Sequence, residues 1–175
     1  MQSISTKTGD KGESGLADGR RLPKSDPIFD VLGTLDELNS HLGLCVIKVG
    51  QKSILLEIQN TLFQIGAQIA GSAKTKLTEK QLHILENESE RLQQSMEEGW
   101  LTKFLLPGGS ESAATLDISR TVCRRLERLL VAHKTTPLIQ LYINRLSDYL
   151  YVLRCSENQR TGKQENIFTY IESSR

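Results

Sequence analysis

A length of 175 residues, 38% hydrophobic and 25% charged, with a net charge of +1, suits a soluble chain that forms one domain with a sizeable core. The near-neutral balance excludes a global nucleic-acid-binding surface, so any anion site must come from local clustering. No apolar run approaches the roughly 20 residues of a membrane span. The polar start resembles neither a signal nor a transit peptide. Cys45, Cys123 and Cys155 form no CxxC pair, which argues against a zinc knuckle or a disulfide framework and fits a reducing cytoplasm.

In chain order, residues 1–33 are rich in Gly, Ser, Asp and Lys, with Pro23 and Pro27 as breakers, and read as a long ordered or switchable loop, of a length that is usually either functional or disordered. Thr34-Leu-Asp-Glu37 is a capping box that predicts the start of a first helix, with Leu35, Leu38, Leu42, Cys45, Val46 and Val49 at helical spacing and Gly50 as its stop. A second helix is expected over about residues 53–70, on Leu55, Ile58, Leu62, Ile65 and Ile69. A third opens at the box-like Thr78-Glu-Lys-Gln81 and carries Leu82, Leu85, Leu92 and Met96. A break from Trp100 to Gly109 contains Leu-Pro-Gly-Gly. A fourth helix follows from about Ser112 to His133. Pro137 opens a fifth, with Leu138, Leu141, Leu146, Leu150 and Leu153 inward. No useful strand alternation or internal repeat is visible. The prediction is an all-α, five-helix up-and-down bundle, a single domain over residues 1–175, preceded by a long N-terminal loop.

Four segments could carry chemistry. Thr6-Lys-Thr-Gly-Asp-Lys-Gly-Glu-Ser-Gly15 combines glycines, hydroxyls and lysines, with Lys24 further on. It can aim backbone N–H groups at an anion, although a mobile polar terminus would look the same, and no Walker string is present. In the Arg-rich stretch, Arg120, Arg124 and Glu127 fall within about 60° on a helix and border an apolar stripe. Two arginines one turn apart repel unless an anion or carboxylate lies between them. A solvated charged face is the alternative. Phe104 and the Leu-Pro-Gly-Gly break could line a pocket mouth or simply connect helices. Asn144 and Asp148 share one face of the fifth helix, where they could be hydrogen-bond partners in a bundle interior. None of His41, His83 and His133 sits in a Glu-x-x-His motif, so no di-iron bundle and no metal-ligand set is predicted.

Taken together and in this order, the strings TKTGDKGESGL (residues 6–16), GRRLPKSDP (19–27), GTLDELNSHLG (33–43), IQNTLFQIGAQIA (58–70), FLLPGGSESAATLDISRTVCRRLERLL (104–130) and INRLSDYLYVLRC (143–155) resemble the ATP:cob(I)alamin adenosyltransferase family of the propanediol-utilisation type. The resemblance implies a homotrimer of helical bundles with active sites between subunits, and an N-terminal loop that orders over ATP. It implies Mg²⁺ accompanying the triphosphate and cobalamin as the second substrate. A reductase and an adenosylcobalamin-dependent acceptor enzyme are further implied partners. Carried over residue by residue, Thr6, Thr8, Gly9, Asp10, Gly12, Ser14 and Lys24 match nucleotide-contacting positions. Arg124, Glu127 and Asn144 match residues of the ATP site. Arg120 matches an arginine that pairs with the partner subunit's Asp36. Phe104 matches an aromatic at the lower face of the corrin. Leu32 and Ser5 stand where the family usually has aromatics. A non-catalytic ATP-binding sensor or cofactor chaperone on the same bundle is the main rival, and a plain helical interaction module the second.

Overall fold

The computed structural model describes residues 7–50, 52–101 and 104–169. Its elements in order are β1 (Glu13–Gly15), β2 (Arg21–Pro23), α1 (Pro27–Lys48), α2 (Lys52–Ile69), α3 (Glu79–Gln94), α4 (Glu111–Ala132) and α5 (Pro137–Arg160). Successive helices run up and down. Glu37 pairs with Arg125, and Lys48 with Glu111, which sets α1 antiparallel to α4. The Cys123 thiol donates to the Ile143 carbonyl while the Ser110 N–H donates to the Asn158 side chain, which sets α4 antiparallel to α5. Contacts of Glu86 with Arg145 and of Ser95 with Gln159 make α3 parallel to α5.

The first helix begins a full two turns before the expected Thr34. Asp26 is its N-cap, accepting from the Ile28 N–H at 3.0 Å, and Pro27 takes the first helical position, where its missing N–H is no loss. Thr34 is buried on the inner face and Glu37 is tied to Arg125, so the apparent capping box lies within a helix. The N-terminal loop is correspondingly shorter than 33 residues. It also holds a small antiparallel hairpin, with Glu13 opposite Pro23 and Gly15 opposite Arg21. Three-residue strands are too short for alternation to reveal them. The Thr78 box does open α3, with the Gln81 side chain accepting from the Thr78 N–H at 3.2 Å.

One apolar cluster runs through all five helices, from Val31 and Leu38 through Leu55, Leu85 and Leu126 to Leu150. The fifth helix packs against both α3 and α4, so its C-terminal half is buried on several faces rather than along one stripe: Leu150, Leu153, Arg154, Glu157 and Asn158 are all inside. Of the expected core residues, Val46, Ile69 and Leu138 are half-buried against the cluster, and two more lie off it. Leu141 is exposed because it lies on the side of α5 away from those neighbours, and half-buried Met96 falls past the end of α3.

The hairpin is fastened at the end of the bundle where α1 begins and α2 ends. Leu16 is buried, and the Asp18 side chain lies directly over Gly71, just past the end of α2, where a Cβ would overlap it. Gly71 has φ +87°, so glycine is suited there on both counts.

Candidate functional site

The hairpin presents its loop as a small cradle. The Lys24 N–H donates to the Gly12 carbonyl at 2.8 Å, and the Lys24 ammonium lies against Gly9, where a Cβ would come within 3.2 Å of Nζ. Arg21 donates to the Thr8 carbonyl at 2.7 Å and reaches Glu13 at 3.5 Å, folding the loop back on the strands. Thr8, Gly9, Asp10, Gly12, Ser14 and Lys24 are thus gathered on one loop-and-hairpin unit, with Asp10 and Lys24 exposed. Thr6 lies outside the described residues.

A cleft of about 520 Å³ opens on the outer side of α5, between α3 and α4. Arg120 and Arg124 line it from α4, Arg145, Ser147 and Asp148 from α5, and Glu86, Ser89 and Glu90 from α3. Trp100 and Tyr151, whose ring centroids are 6.4 Å apart, form its aromatic wall. Arg120 Nε is 3.4 Å from Asp117, which offsets part of the repulsion between the two arginines. Next to them half-buried Glu127 accepts from Asn144 Nδ2 at 3.0 Å. Arg145 donates to Asn144 Oδ1 at 3.1 Å and to Glu86 at 3.1 Å. The chain Glu127–Asn144–Arg145–Glu86 therefore holds its polar groups in place before any ligand arrives. With Arg145 engaged by Glu86 and Asn144, the Arg120 and Arg124 guanidinium groups converging on the cleft suit phosphate oxygens, which accept their paired N–H donors.

Two of the remaining candidates are presented to solvent. Asp36 is exposed on the face of α1 that also carries Leu44 and Ile47. Phe104 is 84% exposed. Among the described residues, neither the cleft lining nor the Glu127–Asn144 pair includes a hairpin residue. The two halves of the expected nucleotide site are thus separate features of the chain. Burial pushes the thiols of Cys45, Cys123 and Cys155 up, so none is a ready thiolate at neutral pH. Among the described residues no group of three or more His, Cys, Asp or Glu could hold a metal ion.

The family model "Cobalamin adenosyltransferase" matches residues 4–157, which takes in the hairpin, the cleft and the Pro-Gly-Gly turn. The chain belongs to the cobalamin adenosyltransferase family. The corrinoid adenosyltransferase of Bacillus subtilis is 40% identical over 174 residues, covering 90% of this chain and 87% of the relative. The cobalamin adenosyltransferase of Cupriavidus metallidurans is 38% identical, covering 96% and 95%. A variant of the PduO-type ATP:corrinoid adenosyltransferase of Lactobacillus reuteri, complexed with cobalamin and ATP, superposes with a TM-score of 0.87 at 30% identity, covering 96% of this chain and all of that one. The resemblance drawn from the six strings and the five-helix fold expected of this adenosyltransferase both stand.

The sequence reading overlooked a buried network behind the Pro-Gly-Gly turn. Arg154, 1% exposed, donates to Asp117 at 3.1 Å, to both oxygens of Glu165 and to the carbonyls of Leu106 and Gly108. Asp117 also accepts from the Gly108 N–H at 3.1 Å. Buried Asn158 accepts from the Ser110 N–H at 2.8 Å and donates to the Gly108 carbonyl at 3.0 Å. One signal was available: Arg154 stands one turn after Leu150 and beside Leu153, so a charge falls on the inward arc of α5. Nothing in the spacing names its partners.

Proposed function

We propose that this chain transfers the 5′-deoxyadenosyl group of ATP to cob(I)alamin, forming adenosylcobalamin and triphosphate. The observation that carries the reading is the convergence of Arg120 and Arg124 on a preorganised cleft in a chain of this family. In the reaction the Co(I) electron pair forms the bond to C5′ as the C5′–O bond breaks and triphosphate leaves with that bond's electrons. The nucleophile belongs to the substrate, so the protein needs no activated serine or cysteine. Its tasks are to align the carbon with cobalt and to stabilise charge on the leaving triphosphate. Arg124, Lys24 and the loop amides near Gly9 and Gly12 supply that stabilisation, with Thr6, Thr8, Asp10 and Ser14 adding contacts to the nucleotide. Glu127 and Asn144 hold the adenosine side. Phe104, open to solvent in the protomer, is free to press on the lower corrin face and exclude an axial ligand.

The separation of hairpin and cleft fits a site completed between subunits, in a homotrimer where Arg120 meets the partner subunit's Asp36. The exposed apolar residues Leu44, Ile47 and Ile118 on α1 and α4 favour such an assembly. Mg²⁺ fits as an ion carried in by the nucleotide, whose phosphate oxygens would hold it together with water, since the described residues offer no three-ligand cluster. Bound there, Mg²⁺ would neutralise phosphate charge. We also assign the chain a cytoplasmic setting, in keeping with its three free cysteines, and one catalytic unit over residues 1–175. No helix among the described residues is long and apolar enough to cross a membrane. A reductase that supplies Co(I) and an acceptor enzyme for the product complete the reaction's surroundings.

Visible absorbance with Mg-ATP and chemically reduced cob(I)alamin, followed anaerobically, tests the reading. Light-sensitive adenosylcobalamin and triphosphate are expected; ATP binding without product would instead indicate a sensor or chaperone. Arg124→Ala should lose about 1–3 kcal/mol of ATP binding or transition-state stabilisation, the range for a charged hydrogen bond, and unchanged ATP kinetics would remove it from the site. Phe104→Ala should leave ATP binding intact and slow turnover when cobalt is reduced on the enzyme. Equal impairment with pre-reduced Co(I) would show that the ring does not act on the axial ligand.

A further inference from the structure

We propose that Arg154 and Glu165 are positioning residues that fix the segment bearing Phe104, acting through the chain that follows α5. The catalytic consequence rests on the adenosyltransferase reading above; the clamp itself does not.

Phe104–Leu106 belongs to no helix or named strand, and its aromatic ring is 84% exposed. Side-chain packing therefore contributes little to where that ring points, and the backbone must do so. That backbone is held from two sides. On one, the C-terminal chain runs antiparallel to it: the Leu106 N–H donates to the Asn166 carbonyl at 2.7 Å, and the Phe168 N–H donates to the Phe104 carbonyl at 2.8 Å, around a Leu105–Ile167 bridge. On the other, Arg154 takes the carbonyls of Leu106 and Gly108 at 3.0 and 3.2 Å.

Glu165 joins the two sides. It immediately precedes the paired stretch, and both of its oxygens accept from Arg154, at 2.8 and 2.7 Å. A paired segment this short has little register preference of its own, since one bridge cannot specify it. The ion pair supplies the register: with Glu165 held on Arg154, Asn166 and Phe168 fall opposite Leu106 and Phe104. Lysine could not replace the arginine, because one planar fork here serves two carboxylates and two carbonyls on separate chain segments. Burying such a group is no efficient route to stability, as apolar replacements of buried ion pairs are often as stable. Spatial specification is what the arrangement provides. Through Asp117, the same guanidinium is also tied to Arg120 in the cleft, so the turn beside Phe104 and the arginine pair share one reference point.

Glu165→Gln in the full-length chain is the test, chosen because Glu165 is half-buried and its amide isostere keeps the shape. Amide hydrogen exchange at Leu106 and Phe168 should quicken about tenfold or more, as expected for losing a charged contact that restrains the pairing. Turnover with cob(II)alamin reduced on the enzyme should fall about fivefold to tenfold at unchanged ATP KM, the scale of one such contact. In a Phe104→Ala background the same substitution should cause no further loss, since both act on one ring. Unchanged exchange at Leu106 would overturn the clamp whatever the activity. Additive losses in the double variant, or a raised ATP KM, would show that Glu165 does not work through Phe104. If the unaltered protein makes no adenosylcobalamin, the functional reading fails, and the exchange result alone decides the clamp.

Discussion

Replacing Arg154 by methionine is expected to lower the stability of the protein by about 3–5 kcal/mol, the range for removing one partner of a buried ion pair. The cause is Asp117 more than the lost arginine. Its side chain is 7% exposed, and without Arg154 its remaining partners among the described residues are the Gly108 N–H and a long contact to Arg120. An ionised carboxylate so placed is poorly solvated, and the carbonyls of Leu106 and Gly108 lose donors as well. Urea denaturation should show a lower midpoint at unchanged slope. The double variant Arg154→Met with Asp117→Leu should recover a large part of the loss, because the stranded charge is gone. A single variant within about 1 kcal/mol of the parent, the size of an ordinary surface substitution, would mean that the network is not confined as described.

Gly109→Ala is expected to be nearly as damaging, at about 2–5 kcal/mol, from backbone strain and overpacking together. Gly109 has φ +102°, where a side chain is strained, and a Cβ there would overlap the Asn158 amide. That amide is fully buried and anchors both the Gly108 carbonyl and the Ser110 N–H, so it has no room to withdraw. Ser110 is the N-cap of α4, accepting from the Ala113 N–H, and a displaced turn would disturb the start of the helix that carries Arg120 and Arg124. Gly108→Ala is the informative comparison. Gly108 has φ +130° but open space around its Cβ position, so it should show the backbone strain without the collision. Equal thermal shifts for the two variants would rule out the collision with Asn158 as a separate contribution.

Much of this molecule is legible without coordinates, for a definite reason. Helical periodicity and capping chemistry are local, so Leu82 and Leu85 after the Thr78 box, or Leu146 to Leu153 after Pro137, announce α3 and α5 directly. The same locality explains the error at α1. A Thr-x-x-Glu string is favourable at a helix start, but it is also tolerated inside one, where Thr34 packs inward and Glu37 finds Arg125 on α4. The choice between Asp26 and Thr34 as the cap was made by burial of Ile28 and Val31, which depends on the other helices. Leu141 shows the converse. Its spacing matches the stripe, yet α5 turns that side outward because its neighbours lie elsewhere.

The candidate site divides along the same line. Arg120, Arg124 and Glu127 share a helix face by geometry alone, and the ordered strings around them were enough to indicate the family. Their convergence with Asp148 and Glu86 on one cleft needed α3, α4 and α5 to be assembled. The separation of the hairpin cradle from that cleft within the chain could not be read from spacing, because it depends on which end of α2 the Asp18–Gly71 contact holds.

By itself, then, the chain's own periodicity determined five helices, and its ordered motifs determined the family, since both are written in short-range patterns. Only the tertiary structure decided that Arg154 would be surrounded by Asp117, Glu165 and the Pro-Gly-Gly carbonyls. Those partners come from segments up to 48 residues away, and a buried charge chooses them by the need for desolvated donors and acceptors to meet.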